Sequence, residues 1–249
     1  MKLKKSLGQH FLKDESVIQK IIDALQQDQI SNLLEVGPGG GALTKKLIEI
    51  PGVNFKAVEL DEEKIRFLKK TYPVLTDRII AQNFLEIEKP FDEPFIVIGN
   101  FPYNISTQIL FKVLDWKDDV PVVIGMFQKE VGKRAASKEG SKVYGVLSVL
   151  IQAFYEVEYL FDVSSQCFTP PPKIESGVIR LRRKTTELDV RSHRSFVILV
   201  KTAFNQRRKT LRNAVKSLFA PEILQDELFD KRAEALSVED FAKLTFKMN

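Results

Sequence analysis

Asn32-Leu33-Leu34-Glu35-Val36-Gly37-Pro38-Gly39-Gly40-Gly41 decides the fold. Its first half is a strand-type apolar run. Its second half is a glycine-rich turn, and residues 42–50 follow as a helix. Working outward, 55–60, 78–81, 94–99 and 120–127 read as further strands. Helical segments over 62–70 and 106–114 alternate with them, and a helix over 14–27 precedes the set, with Val17, Ile18, Ile21, Ile22 and Leu25 on one face. Such alternation predicts a parallel, doubly wound α/β sheet. Residues 146–155 fit helix or strand equally, and 176–182 read as a late strand.

The pattern changes after Arg183. From Ser192 onward there is no strand signal, and 196–204, 209–219 and 238–246 carry helical periodicity. This predicts two domains, 1–184 as the α/β part and 191–249 as a small all-helical part. The chain has 249 residues, enough for one large domain or for a large one plus a small one. Its single cysteine, Cys167, excludes an internal disulfide and suits a cytoplasmic protein. No apolar run is long enough to span a bilayer. Met1-Lys2-Leu3-Lys4-Lys5 is basic but no apolar stretch follows, so no signal peptide is expected. Net charge is +5, distributed unevenly: residues 180–249 hold 16 Lys and Arg against 9 Asp and Glu. That surplus suits a polyanionic partner such as nucleic acid, although lysine-rich helices also present such faces to water.

The glycine loop permits close approach of a ligand to main-chain N–H groups, with Gly37 and Gly39 nearest. Glu59, at the end of the second strand, can accept hydrogen bonds from both hydroxyls of a ribose. Read through Ala42, the loop also fits the glycine spacing of nicotinamide enzymes. A plain structural turn fits as well. Pro38 removes an N–H donor, which suits a pyrophosphate poorly and costs a phosphate-free nucleoside such as S-adenosyl-L-methionine nothing. Asn83, after the third strand, can accept from an adenine amino group or can serve only as a turn residue.

Asn100-Phe101-Pro102-Tyr103 follows the apolar run Pro94-Phe95-Ile96-Val97-Ile98-Gly99. An amide, a proline and an aromatic at a strand's carboxyl end make a ligand site, with acceptors and a flat face suited to a flipped-out adenine. An adenine amine is a poor nucleophile because its lone pair is delocalised. The Asn100 oxygen and the carbonyl of Phe101 or Pro102 can accept from its hydrogens and localise that pair. Tyr103 can stack on the base.

These blocks, together with Leu7-Gly8-Gln9-His10-Phe11-Leu12, Val58-Glu59-Leu60-Asp61, Gln128-Lys129-Glu130-Val131, Tyr144-Gly145-Val146-Leu147-Ser148, Phe168-Thr169-Pro170-Pro171-Pro172-Lys173 and Asn205-Gln206-Arg207-Arg208-Lys209-Thr210-Leu211-Arg212, run nearly end to end. The chain resembles the ribosomal RNA adenine N6,N6-dimethyltransferases of small-subunit (16S) rRNA maturation. The resemblance implies a Rossmann-like methyltransferase domain and S-adenosyl-L-methionine as methyl donor, with no metal. It implies action on two adjacent adenosines of small-subunit rRNA in the 30S particle, with a part in ribosome biogenesis, and a monomer with no membrane partner is expected. It further implies that Asn100, Phe101, Pro102, Tyr103 and Phe168 form the catalytic pocket, with Phe168 across the base from Tyr103. His10, Leu12, Gly37, Gly39, Glu59, Asn83 and Asn100 would hold the cofactor. Aspartate is usual at position 83 and asparagine often stands at position 10. Arg207, Arg208, Lys209 and Arg212, within two turns of an expected helix, would bind RNA phosphates. The alternatives are a large-subunit rRNA adenine methyltransferase of the macrolide-resistance type, a non-catalytic ribosome assembly factor and a nicotinamide oxidoreductase.

Overall fold

The computed structural model describes residues 10–29 and 31–249. They fall into two compact units. One comprises the described residues up to Gly132 with Glu158–Arg183, and the other Lys133–Val157 with Lys184–Asn249. The sequence divides the chain once, at 184–191. The packing also draws residues 133–157 into the helical unit.

In the first unit, β1 (Phe11–Leu12) precedes α1 (Glu15–Leu25). Asp14 starts α1 by accepting from the N–H groups of Ser16 and Val17, the ordinary role of an aspartate N-cap. Val17, Ile18, Ile21, Ile22 and Leu25 face the core, as the spacing requires. There follow β2 (Asn32–Val36), α2 (Thr44–Leu47), β3 (Asn54–Val58), α3 (Glu62–Thr71), β4 (Ile79–Ile80), β5 (Ile96–Asn100), α4 (Ser106–Asp115) and β6 (Val122–Gln128). After α5 (Lys129–Ala136) and α6 (Val146–Gln152) come β7 (Tyr155–Val163), β8 (Phe168–Thr169) and β9 (Ser176–Arg183).

Seven strands form one sheet in the order β4-β3-β2-β5-β6-β9-β7. β2 pairs in parallel with β3 and β5, β3 with β4, and β5 with β6. The apolar runs of β2, β5 and β6 are buried on both faces, as central parallel strands require. The chain moves outward from β2 to β4, then restarts on the other side at β5. That reversal between β2 and β5 is a topological switch point, and it opens a crevice at the carboxyl ends of the two strands.

The sheet is not wholly parallel. β9 runs antiparallel to β6, with Ser176 opposite Gln128. The nine-residue β7 has no counterpart in the sequence reading, because its side chains lack a clean inside-outside alternation. The helix expected over 42–50 shortens to α2, and the ambiguous 146–155 resolves into α6 followed by the start of β7.

The helical unit contains α7 (His193–Asn205), α8 (Leu211–Val215) and α9 (Val238–Thr245). Its centre includes Tyr144, Phe196, Phe229 and Phe241, and the partly buried Phe204 packs against both Tyr144 and Phe241. Among the described residues no strand follows β9, and no helix is long and apolar enough to cross a membrane.

Candidate active site at the carboxyl edge of the sheet

Two adjoining clefts lie at this edge and share Gly37, Glu59, Lys64 and Pro102 in their walls. Gly37 and Gly39 have φ of +70° and +58°, conformations that glycine adopts freely, and they turn the chain sharply out of β2. His10, Leu12 and the 37–40 loop line the first cleft together with Asn100, Phe101, Pro102 and Tyr103. Leu7, Gly8 and Gln9 lie outside the described residues.

Glu59 is 7% exposed and its carboxylate is fixed from three sides. Oε2 accepts from the Gly39 N–H at 3.2 Å, and Oε1 from the N–H groups of Leu60 and Asp61 at 3.0 Å each. Lys64 Nζ stands 3.7 Å from Oε2. A carboxylate held this way faces a ligand in a set orientation and offers acceptors to hydroxyl groups. Asn83 lines the second cleft. Its Oδ1 accepts from the Leu85 N–H and its Nδ2 donates to Glu86, so it makes an Asx turn as well as part of the wall.

Three cleft residues escape the sequence reading. Glu35 ends in the first cleft and is 2% exposed, with Oε2 accepting from Thr44 Oγ1 at 2.7 Å. Burial pushes its carboxyl up to about 8, and the charge of Glu59 adds to the rise. In the sequence it looks like one more residue of a strand. Leu60 is 59% exposed and lines the second cleft, as do Phe84 and Ile105. Lys64 reads as one of many α3 lysines. Only its helical step back from Asp61 toward Glu59 could have marked it.

Asn100 is the last residue of β5, paired with Met126 of β6. Its Nδ2 donates to the His10 carbonyl at 3.4 Å, which directs the amide. Phe101 is buried, and the reason is local. Gly99 and Gly125 lie opposite each other in β5 and β6. A Cβ on Gly125 would stand 2.2 Å from the Phe101 ring, and one on Gly99 2.9 Å from it. The two glycines leave the space the ring fills, where it also packs on Phe127. Phe101 therefore presents its backbone to the cleft and anchors the loop with its side chain. The Pro102 carbonyl accepts from the Ile105 N–H at 3.2 Å, closing the turn into α4.

Tyr103 is half-buried. Its hydroxyl bonds Ser176 Oγ and its ring stacks on His10 with centroids 6.1 Å apart and planes 27° from parallel. Burial raises its phenol above the ordinary value, with the Ser176 bond acting in the opposite direction. His10 Nδ1 bonds the Pro170 carbonyl at 2.8 Å. Phe168 departs from the expected placement. It is fully buried in the apolar core with Leu12, which it opposes where β1 pairs β8, and it does not line either cleft. The pairing of two short strands turns its ring inward.

The basic residues 207–212 also differ from expectation. Arg207, Arg208 and Lys209 occupy the turn from α7 into α8, and Arg212 lies within α8, so they do not share one continuous helix. Arg207 pairs with Glu234 at 2.8 Å and donates to the Lys142 carbonyl. Arg212 donates to the Leu224 carbonyl and pairs with Asp230, both at 2.8 Å. Arg208 and Lys209 are exposed.

The site thus combines a glycine turn, a fixed carboxylate and an amide-aromatic loop at the switch point. The family model described as ribosomal RNA adenine dimethylase matches residues 1–247. The chain belongs to that family. Ribosomal RNA small subunit methyltransferase A of Cytophaga hutchinsonii is 50% identical over 249 residues, covering 98% of this chain and 96% of the relative. The protein of the same name from Flavobacterium johnsoniae is 50% identical over 252 residues, covering 100% and 96%. Among solved structures, a dimethyladenosine transferase from Plasmodium falciparum superposes with a TM-score of 0.81 at 25% identity, covering 94% of this chain and 96% of that one. The 23S rRNA methyltransferase ErmE shares the fold with a TM-score of 0.72 at 20% identity, covering 96% and 99%. The chain is a methyltransferase with a Rossmann-like fold.

Proposed function

We propose that this enzyme dimethylates N6 of two adjacent adenosines in the 3′-terminal hairpin loop of small-subunit rRNA within the 30S particle. It does so as a cytoplasmic monomer, and S-adenosyl-L-methionine is its donor. The observation that carries the reading is the placement of Asn100 and the Phe101 backbone beside the glycine turn and Glu59. When bound, S-adenosyl-L-methionine supplies an electrophilic methyl group on its sulfonium. The residues present fit that group: Glu59 offers fixed acceptors for ribose hydroxyls, Leu60 an apolar surface, and Asn83 a cleft-lining amide. Pro38 in the turn suits a ligand without phosphates.

Asn100 directs its amide by donating to His10, which leaves its oxygen to accept from the adenine amine. The second acceptor is the carbonyl of Phe101 or of Pro102, both in the cleft wall, the latter also closing the turn with the Ile105 N–H. Two acceptors on the amine localise its lone pair, and no strong base is needed. Tyr103 stacks on the base, an interaction worth about 1–3 kcal/mol. Phe168 supports the strand that carries Leu12. Gly37 and Gly39 admit the ligand to the main chain. Residues 1–184 would carry the chemistry and 191–249 the ribosomal contact, with Arg208 and Lys209 on phosphates and Arg207 and Arg212 shaping that surface. The 50%-identical relatives bear the small-subunit name, which supports 30S over 50S as substrate.

The test supplies radiolabelled S-adenosyl-L-methionine with undermethylated 30S particles or 50S precursors. Label is expected in 30S rRNA alone. Label confined to 50S rRNA would overturn the substrate assignment.

A further inference from the structure

We infer that Ser176 is a positioning residue for the methyl transfer, because its hydroxyl fixes the ring of Tyr103 at the angle the adenine must meet. The inference rests on the proposed stacking role of Tyr103. Ser176 is fully buried, yet the two residues are 73 apart in sequence. The sheet brings them together. Asn100 on β5 pairs with Met126 on β6, and two residues farther along β6, Gln128 pairs with Ser176 at the start of β9. The antiparallel strand therefore begins where the 100–103 loop leaves the sheet.

The start of β9 is itself pinned. The Lys129 N–H donates to the Glu175 carbonyl at 3.0 Å. Lys129 Nζ bridges Glu175 at 2.6 Å and Asp162 at 2.7 Å. Tyr159 donates to Asp162 and lies over Gly177, where an added Cβ would fall 2.2 Å from its hydroxyl. Ser176 is thus held by its neighbours on both sides, and its hydroxyl is a fixed post. Tyr103 is held at a second point, where Ser106 Oγ donates to its carbonyl at 3.1 Å. A phenol tethered at its far end and a backbone tethered at its near end leave the ring little rotational freedom. Preorganisation of this kind raises the rate when the target enters, because the ring need not be ordered at that moment.

The test measures methyl transfer to undermethylated 30S particles by wild type, Ser176→Ala, Tyr103→Phe, the double variant and Tyr103→Ala. Ser176→Ala and Tyr103→Phe are each expected to lower kcat about fivefold, the size of one neutral hydrogen bond. KM for the particle should stay unchanged, since phosphate contacts dominate it. The double variant should match either single one, because both remove the same bond. Additive losses, or wild-type kcat in both single variants, would overturn the role of Ser176 while leaving Tyr103 in place. Full activity in Tyr103→Ala would overturn the stacking role itself. Ser176→Thr keeps a hydroxyl and should recover part of the rate. Failure of Ser176→Thr to exceed Ser176→Ala, with both melting as wild type does, would also count against the role.

Discussion

The 100–103 loop and the 205–212 segment both stand out in the sequence, and the structure treats them differently. In the loop the polar groups are set by their backbone surroundings and still face a cleft: Asn100 leans on the His10 carbonyl and Phe101 is locked over two glycines. In the basic segment two of the four cations, Arg207 and Arg212, are engaged by carbonyls and carboxylates of their own unit, and Arg208 and Lys209 reach solvent. A short side chain at a strand end goes where the backbone sends it. A long guanidinium can fold back onto its own unit, and its sequence position does not say whether it does.

The comparison breaks first at Asn100. Asn100→Ala should lower kcat about 100-fold or more, as loss of a preorganised polar contact does, with the melting temperature kept. A rate within threefold of wild type would remove the amide from the chemistry. Gly125→Ala tests the anchor beneath the loop. The new methyl group has no room beside Phe101 and Phe127, and the expected loss of stability is about 1–3 kcal/mol. Methyl transfer should fall with it. An unshifted melting curve would show that the ring moves aside freely.

The basic segment is sharpened by two single variants. Arg207→Ala should lower stability by about 1 kcal/mol, since it removes bonds to a carbonyl and a half-exposed carboxylate. Arg208→Ala should leave the melting temperature unchanged and flatten the salt dependence of 30S binding by about one phosphate contact. The reverse pattern would mean that the internal pairing of Arg207 gives way to RNA.

Inside the cleft, Glu35 gives a pH test. The folded protein holds this proton up to about pH 8 and the unfolded chain releases it near the ordinary value of 4.5. The folded state binds more protons across that window, so this carboxyl's contribution to stability falls as pH rises through it. Glu35→Gln should flatten the decline between pH 5.5 and 8, and an unchanged slope in melting temperature would contradict it. The smallest effect belongs to Asn83→Asp, which should keep or modestly tighten S-adenosyl-L-methionine binding by calorimetry. Abolished binding would refute its place in the wall.

Much of this was legible in the sequence. The Gly37 turn, Glu59 and the 100–103 loop follow strand ends that apolar runs mark plainly, and strand ends of a parallel sheet share one edge. The antiparallel β9, the edge strand β7 and the inward turn of Phe168 depend on pairings between distant segments, such as Leu12 with Phe168. Glu35 and Ser176 were missed because a buried acid and a buried hydroxyl carry no spacing signal of their own. Their importance lies in Thr44 and Tyr103, which fold onto them.

The most direct measurement is mass spectrometry of nucleosides released from undermethylated 30S particles after incubation with the protein and S-adenosyl-L-methionine. The account predicts N6,N6-dimethyladenosine at two adjacent positions of the small-subunit rRNA. Protein that melts cooperatively and binds the donor, yet leaves those adenosines unmodified, would contradict it.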